Sequence, residues 1–483
     1  MKKLLFIFLL NLNFLFSICY IKIPLKLYPC QVSNNINISM TFSNMIMQQL
    51  YAKLEIGTPK QIISVPLELE KNEFYISKYE SEILNEKYNK FNLKNFQEKS
   101  SSSFNYINNE KNKVFYNNNF QMASKARDLF FFDDKKIELD FYLAGNLSEK
   151  IPGELGIQIQ PINELNSAFN SEDKSFLKKL KNNGIIDNYI WTIIYNNNNQ
   201  KDNIDAYLFI GDYLHNIKSD DLILKNIKFR EDSLSSINAY VYKKKVSTEF
   251  EMSKLYLYKQ NNPNNIIKEI NLSKMYLSVK LDYNLGGIKA SEIIRPYLEE
   301  NVFTEENKCH KEFFDYDNKY IFYYCDKYPS TIKNIKNNFP VLNFIQQEFN
   351  YNFTITLDDI LVEKENYFYF LIFFGYSKDR YNWKLGRPFL NKYNFMVEQD
   401  GKKIFLYSEK EEEIIIPGIR KQSSPIKQKK SLLFLVIFLI ILLLFLGFLF
   451  AKNINKVKIK KHKNILDDNL DYSLSSGIEM TKK

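Results

Sequence analysis

Glu68 and Asp282 each close a short, mostly apolar run, Val65-Pro66-Leu67 and Val279-Lys280-Leu281. Two carboxyl groups held close together share one proton, because repulsion between like charges keeps both from ionising; such a pair activates water as base and protonates a leaving group as acid. Other hydrolytic routes find few residues. The three histidines, His215, His310 and His462, stand in no recognisable nucleophile setting, and the four cysteines form no Cys-x-x-Cys pair. His-x-x-x-His and a glycine-rich phosphate loop are also missing from the sequence. Nucleophilic triads, zinc sites and nucleotide cradles are therefore set aside, and neither metal nor cofactor is expected.

The elements that would carry these acids are mainly β. Runs rich in Ile, Leu, Phe and Tyr, such as Tyr51–Ile56, Ile62–Leu69, Tyr189–Tyr195 and Tyr367–Phe374, alternate with Asn, Asp, Lys and Ser clusters and read as strands. Asn196–Asn199 and Asn261–Asn265 read as solvated loops, and Ser175–Asn182 and Ala290–Glu299 as helices. The polar stretch Arg230–Ser233 and the pair Ser235-Ser236 suggest a boundary near residue 235, so the two acids fall in separate halves of similar size. Only 14 of 483 residues are glycine, well under the ~7% of ordinary globular chains, whereas aromatic residues are abundant, at 33 Tyr and 40 Phe.

Both ends read as membrane-directed. Met1-Lys2-Lys3 followed by an apolar run to Phe16, with Ser17 and Cys19 before Tyr20, predicts a signal peptide over 1–19. Residues 431–451 carry no charge and would span ~30 Å as a helix, enough to cross a bilayer, with lysines at 452, 456, 458, 460, 461 and 463 on the cytoplasmic side. The expectation is a single-pass type I membrane protein of the secretory pathway, at the cell surface or a vacuole. The formal charge of +10 does not indicate nucleic acid binding, because Arg420–Lys463 alone holds eleven Lys or Arg and no acid. Four glycosylation sequons, at Asn37, Asn146, Asn271 and Asn352, fall on the lumenal side, where Cys309 and Cys325 are near enough in sequence for a disulfide worth about 3 kcal/mol. Cys30 is left over.

Tyr51, Ile56-Gly57-Thr58-Pro59, Gln61 and Val65 lead to Glu68, with Phe74-Tyr75-Ile76 beyond it. Tyr116, Asp128, Gly153-Glu154-Leu155-Gly156-Ile157, Gly184-Ile185-Ile186 and Phe209-Ile210-Gly211-Asp212 follow. Val279–Asp282 and Trp383–Tyr393, with Leu385-Gly386 and Phe389-Leu390, complete the series. In order and spacing these stretches, from about residue 45 to 408, resemble the pepsin-like aspartic proteases. The resemblance implies a bilobal acid-protease fold: a short propeptide-like segment at 20–44, including Ile23-Pro24-Leu25, then an N-terminal lobe at 45–235 and a C-terminal lobe at 236–410. A stalk at 411–430, the transmembrane helix at 431–451 and a cytoplasmic tail at 452–483 would follow.

By the same resemblance Glu68 and Asp282 take the places of the family's catalytic aspartates and Tyr116 that of the flap tyrosine. Departures cluster at the chemistry. Glutamate replaces the first aspartate, Leu69-Glu70 and Tyr283-Asn284 replace the two Thr/Ser-Gly pairs, and Asn117 and Asn119 replace flap glycines. A carboxylate carried on one extra methylene moves by ~1.3 Å, and a misplacement of about 1 Å can cost a hundredfold in rate. The implied function is a monomeric, membrane-anchored protease homologue, impaired or inactive, that binds extended polypeptide between its lobes. The alternatives are an active endopeptidase using Glu68 and Asp282 in an acidic compartment, and a surface structural or adhesion protein. Glu68 and Glu70 could also both be plain solvent-facing acids on one strand.

Overall fold

Runs rich in Ile, Leu, Phe and Tyr form the strands of this chain: Ile21–Pro29 begins by burying alternate residues, as a strand with one covered face does, whereas Tyr367–Gly375 is buried along most of its length. A computed structural model describes residues 20–30, 37–78, 91, 93–116, 119–145, 152–159, 175–196, 204–214, 223–228, 248–260, 262–272, 278–314, 319–346, 349, 351–375 and 383–408. The expected signal peptide, stalk, membrane span and tail, the boundary near residue 235, Asn146 and His215 lie outside these residues. Among the described residues no helix is long and apolar enough to cross a membrane.

The first half contributes strands β1 (Ile21–Pro29), β2 (Gln48–Ile56), β3 (Gln61–Glu68), β4 (Phe74–Ser77), β5 (Asn105–Tyr116), β6 (Asn119–Phe132), β7 (Lys135–Ala144), β8 (Gly153–Gly156), β9 (Ile190–Tyr195), β10 (Ala206–Ile210) and β11 (Ile223–Lys228). The second contributes β12 (Glu249–Glu251), β13 (Lys254–Lys259), β14 (Asn262–Asn271), β15 (Ser278–Leu281), β16 (Ile288–Ala290), β17 (Cys309–Phe314), β18 (Tyr320–Asp326), β19 (Pro340–Gln346) and β20 (Tyr351–Ile355). It ends with β21 (Leu361–Lys364), β22 (Tyr367–Gly375), β23 (Trp383–Leu385), β24 (Asn394–Glu398) and β25 (Lys403–Ser408). Helices are short: α1 (Ile38–Ile46), α2 (Phe176–Asn182), α3 (Arg295–Asn301) and α4 (Pro329–Asn338) are the longest described.

One strand path occurs twice. In the first half the order is β3-β8-β4-β7-β6-β5, and in the second β15-β23-β16-β22-β18-β17. The pairing senses agree step by step: parallel, antiparallel, parallel, antiparallel, antiparallel. The register agrees as well. Leu67 lies opposite Leu155 and Leu281 opposite Leu385, so Glu68 and Asp282 occupy equivalent positions beside Gly156 and Gly386. A Cβ on Gly156 would sit 2.7 Å from the Lys71 carbonyl oxygen, and one on Gly386 would sit 2.2 Å from that of Leu285. Backbone passes over backbone at both places, and only glycine leaves room.

A wide sheet, β11-β25-β24-β9-β10-β1-β2, joins the halves. Strand β24 pairs with β9, matching Met396 to Thr192, and Thr192 Oγ1 donates to the Phe395 carbonyl at 2.6 Å. A single apolar core runs through both halves, from Ile23 and Leu25 to Trp383 and Leu406.

Residues 20–44, expected as a propeptide-like segment, supply two integral elements. In β1 the side chains of Ile21, Ile23 and Leu25 are buried in alternation, and the strand lies between β10 and β2. Helix α1 begins where Asn37 Oδ1 accepts the Met40 N–H at 2.7 Å, a good N-cap. Its Phe42 is fully buried against Phe322, Phe314 and Tyr369. The predicted strands agree with β2, β3, β9 and β22 to within a few residues, and the helix predicted over Ser175–Asn182 is α2, with Ser175 as its N-cap. The helix expected from Ala290 is displaced: Ala290 ends β16, parallel to β22, and α3 begins at Arg295 with a proline in its first turn.

Ile23→Ala and Phe42→Ala are each expected to destabilise the protein by about 2–5 kcal/mol in chemical denaturation, the cost of a core cavity. Near-zero changes would mark 20–46 as a detachable leader.

Candidate functional site

Glu68 ends β3, whose Ile63, Val65 and Leu67 are buried, and is itself half-buried. Its carbonyl accepts the Ile157 N–H at 3.2 Å, tying the acid to the segment that crosses behind it. The chain then bends, so Glu68 and Glu70 are not neighbours on one strand face as the sequence allowed. Glu70 is exposed and bonds to Lys280 of β15, two residues before Asp282. This ion pair joins the two acid-bearing segments directly.

Behind Glu68 lies a second acid. Glu154, on β8, is buried, and its Oε2 accepts from Lys71 Nζ at 2.8 Å while its Oε1 has no hydrogen-bond partner among the described residues. Burial pushes the Glu154 carboxyl up to about 8, with Lys71 pulling it down and Glu68 and Glu73 adding to the rise. The Glu68 carboxyl is also raised, by burial first, then lowered by Lys71 and raised by Glu70. Burial disfavours the Lys71 ammonium, but attraction to Glu154 and Glu68 outweighs it and holds this pKa above the usual lysine value.

Asp282 follows β15, and its N–H donates to the Leu385 carbonyl at 3.0 Å. Its Oδ1 accepts the Asn284 N–H at 3.2 Å, and its Oδ2 lies 4.0 Å from Lys384 Nζ. The residues standing where the resemblance places Thr and Gly are bound into the structure. Tyr283 is buried beside Trp191 and its carbonyl accepts from Tyr195 OH at 2.6 Å, while Asn284 Oδ1 accepts the Leu50 N–H at 2.9 Å. The Gly286 N–H donates to the Ile46 carbonyl at 2.8 Å. The second acid loop is therefore fastened to α1 and β2. Among the described residues no hydrogen bond or ion pair joins Glu68 to Asp282.

Tyr116 is the last residue of β5 and pairs with Asn119 next to the hairpin turn; its side chain lies outside the described residues. Asp128 is fully buried and accepts from Ser103 Oγ at 2.6 Å and the Leu129 N–H at 2.8 Å, a bonding pattern internal to the fold. Cys309 and Cys325 face each other across β17 and β18 and are joined by a disulfide with an S–S distance of 1.91 Å. Cys30 is exposed and takes no part in it. Of the sequons, Asn37 is exposed, and Asn271 and Asn352 are half-buried positions on β14 and β20.

No family model and no curated protein matches this chain. The site therefore rests on its own geometry. Sequence reasoning picked out Glu68 and Asp282 but missed Lys71, Glu154, Lys280 and Lys384, the residues that set their electrostatics. One signal was available: Glu154 is an acid inside the otherwise apolar run Gly153–Ile157, and a buried acid needs a partner.

Two measurements follow. The folded protein holds a proton on Glu154 that the unfolded chain releases near 4.5, so this group's stabilisation is complete below that pH and is lost as pH rises through about 8. Denaturation across pH 5–8 should show a declining stability component of at most about 1.4 kcal/mol per pH unit that Glu154→Gln removes. Asn284→Ala leaves the Leu50 N–H without its acceptor and is expected to cost about 1–3 kcal/mol in the same assay.

Proposed function

We propose that this chain is a single-pass membrane protein whose lumenal part is a pepsin-like, two-lobed body that binds extended polypeptide between its lobes, as a monomer, and is impaired in cutting it. The observation that carries this reading is the doubled strand path, which brings Glu68 and Asp282 to equivalent places, together with the Glu70–Lys280 ion pair between the two acid-bearing segments. Strand edges beside a cleft suit an extended chain, whose main-chain groups they bind as an added strand would. The membrane anchoring rests on the apolar run 431–451 and the leader 1–19.

The impairment follows from what each acid meets. A shared proton needs two carboxyl groups facing one another, whereas among the described residues no hydrogen bond joins Glu68 to Asp282: Lys71 lies by Glu68, and Lys384 Nζ is 4.0 Å from Asp282 Oδ2.

One observation favours a second reading. The raised pKa of Glu68 suits an acid that keeps its proton, as one member of a hydrolytic pair must, and an active endopeptidase would use it with Asp282 in an acidic compartment.

The deciding experiment presents the full chain with fluorogenic extended peptides between about pH 3 and pH 7, the range in which paired carboxyls titrate. Binding without turnover is expected, and Asp282→Ala should leave that outcome unchanged. Acid-dependent cleavage abolished by Asp282→Ala would establish the second reading. Absence of peptide binding across the whole range would refute the first.

A further inference from the structure

Glu154, Lys71 and Glu68 form a charged cluster on the N-terminal side of the site, and its geometry is unusual for a structural ion pair. The Glu154 side chain is only 3% exposed and that of Lys71 35%. One carboxylate oxygen of Glu154 takes the lysine, and the other is sealed from solvent with no hydrogen-bond partner among the described residues. An ionised carboxylate left half-satisfied in this way is costly, and taking up a proton relieves most of the cost. Lys71 stands between the two acids, bonded to Glu154 and attracted by Glu68.

The groups around Glu154 come from three directions. Strand β3 contributes Glu68, the turn after it contributes Lys71, and Glu73 stands at the start of β4, where Tyr75 lies opposite Glu154 in register. Nearer the second acid, Glu70, Lys280, Glu249, Lys384 and Asp282 complete the ionisable set. Carboxyls outnumber ammonium groups among these residues, so the ensemble is net negative when all are ionised. Each proton taken up removes one negative charge.

We propose that Glu154 and Lys71 are a buried proton switch behind the first acid position: protonation of Glu154 releases Lys71 toward Glu68, and so changes the charge that the site presents to a bound polypeptide. The substrate preference follows. With Glu154 ionised the site favours chains bearing lysine or arginine, and with Glu154 protonated that preference weakens and acidic side chains gain. The switch rests on the peptide-binding reading for its consequence, but its proton event is independent of any ligand. Glu154 exchanges its proton with solvent alone, so no further reactant is involved.

The test has two arms on the full chain. Infrared difference spectra between pH 9.5 and pH 6 should show one protonated-carboxyl band growing as pH falls, absent in Glu154→Gln. If that variant does not fold, Lys71→Met serves instead: loss of the ammonium should move the band's midpoint to higher pH. In the second arm, fluorescence anisotropy follows a lysine-rich and a glutamate-rich extended peptide over the same range. Affinity for the lysine-rich peptide should fall several-fold as pH drops from 9.5 to 6, with the opposite trend for the glutamate-rich one, and Glu154→Gln should be flat. A missing band overturns the switch, as does an unchanged pH slope in Glu154→Gln. If neither peptide binds at any pH, the peptide-binding reading fails, and with it the switch's proposed consequence, while the band still decides the proton event.

Discussion

The crossing of backbone behind each acid is the constraint on which the rest of this structure depends. Strands β8 and β23 run parallel to β3 and β15 and reach their glycines, Gly156 and Gly386, where the chain after each acid passes directly overhead. A strand end held this way cannot slide by one residue without exchanging its buried and exposed faces, so Leu67 and Leu281 stay in the core and the acids stay at the rim. In a chain with so few glycines, these two positions are held because a side chain there would collide with main chain.

The two acid loops keep that frame but fasten it differently. On the second, Tyr283 and Asn284 offer a carbonyl and a side-chain oxygen to Tyr195 and Leu50, so bulky residues serve as ties to the opposite half. On the first, a side-chain amide of Gln158 binds the Leu69 carbonyl, and Gln399 from the other half binds the carbonyl of Ile157 at 2.6 Å. Both loops are therefore held by bonds to backbone groups, and lysines stand near the acids.

Much of the frame was legible in the sequence because it rests on short apolar and aromatic runs. The runs around β2, β3, β9 and β22 are largely buried, β9 and β22 along most of their length, and Ser175–Asn182 was legible as the helix α2. Glu68 and Asp282 were legible through their spacing from those runs. Three things were not. β1 begins beside the apolar leader, and its place within a sheet depends on β10, far along the chain. Helix α1 draws its stability from Phe42 packing on the second half rather than from helix propensity. Lys71, Lys280 and Lys384 look like ordinary surface lysines in sequence, and only the tertiary arrangement brings them to the buried Glu154, the exposed Glu70 and the half-buried Asp282.

The shared sheet has a consequence for how the molecule is made. Its strand β1 is translated well before β10, so one of its two edges can close only when Ala206–Ile210 arrives, and the platform is completed by Lys403–Ser408. Closing pairs so distant in sequence is slow, because the entropy of the intervening loop is lost before any contact rewards it. Ile21, Ile23 and Leu25 therefore lack their partners on that side until β10 has been translated.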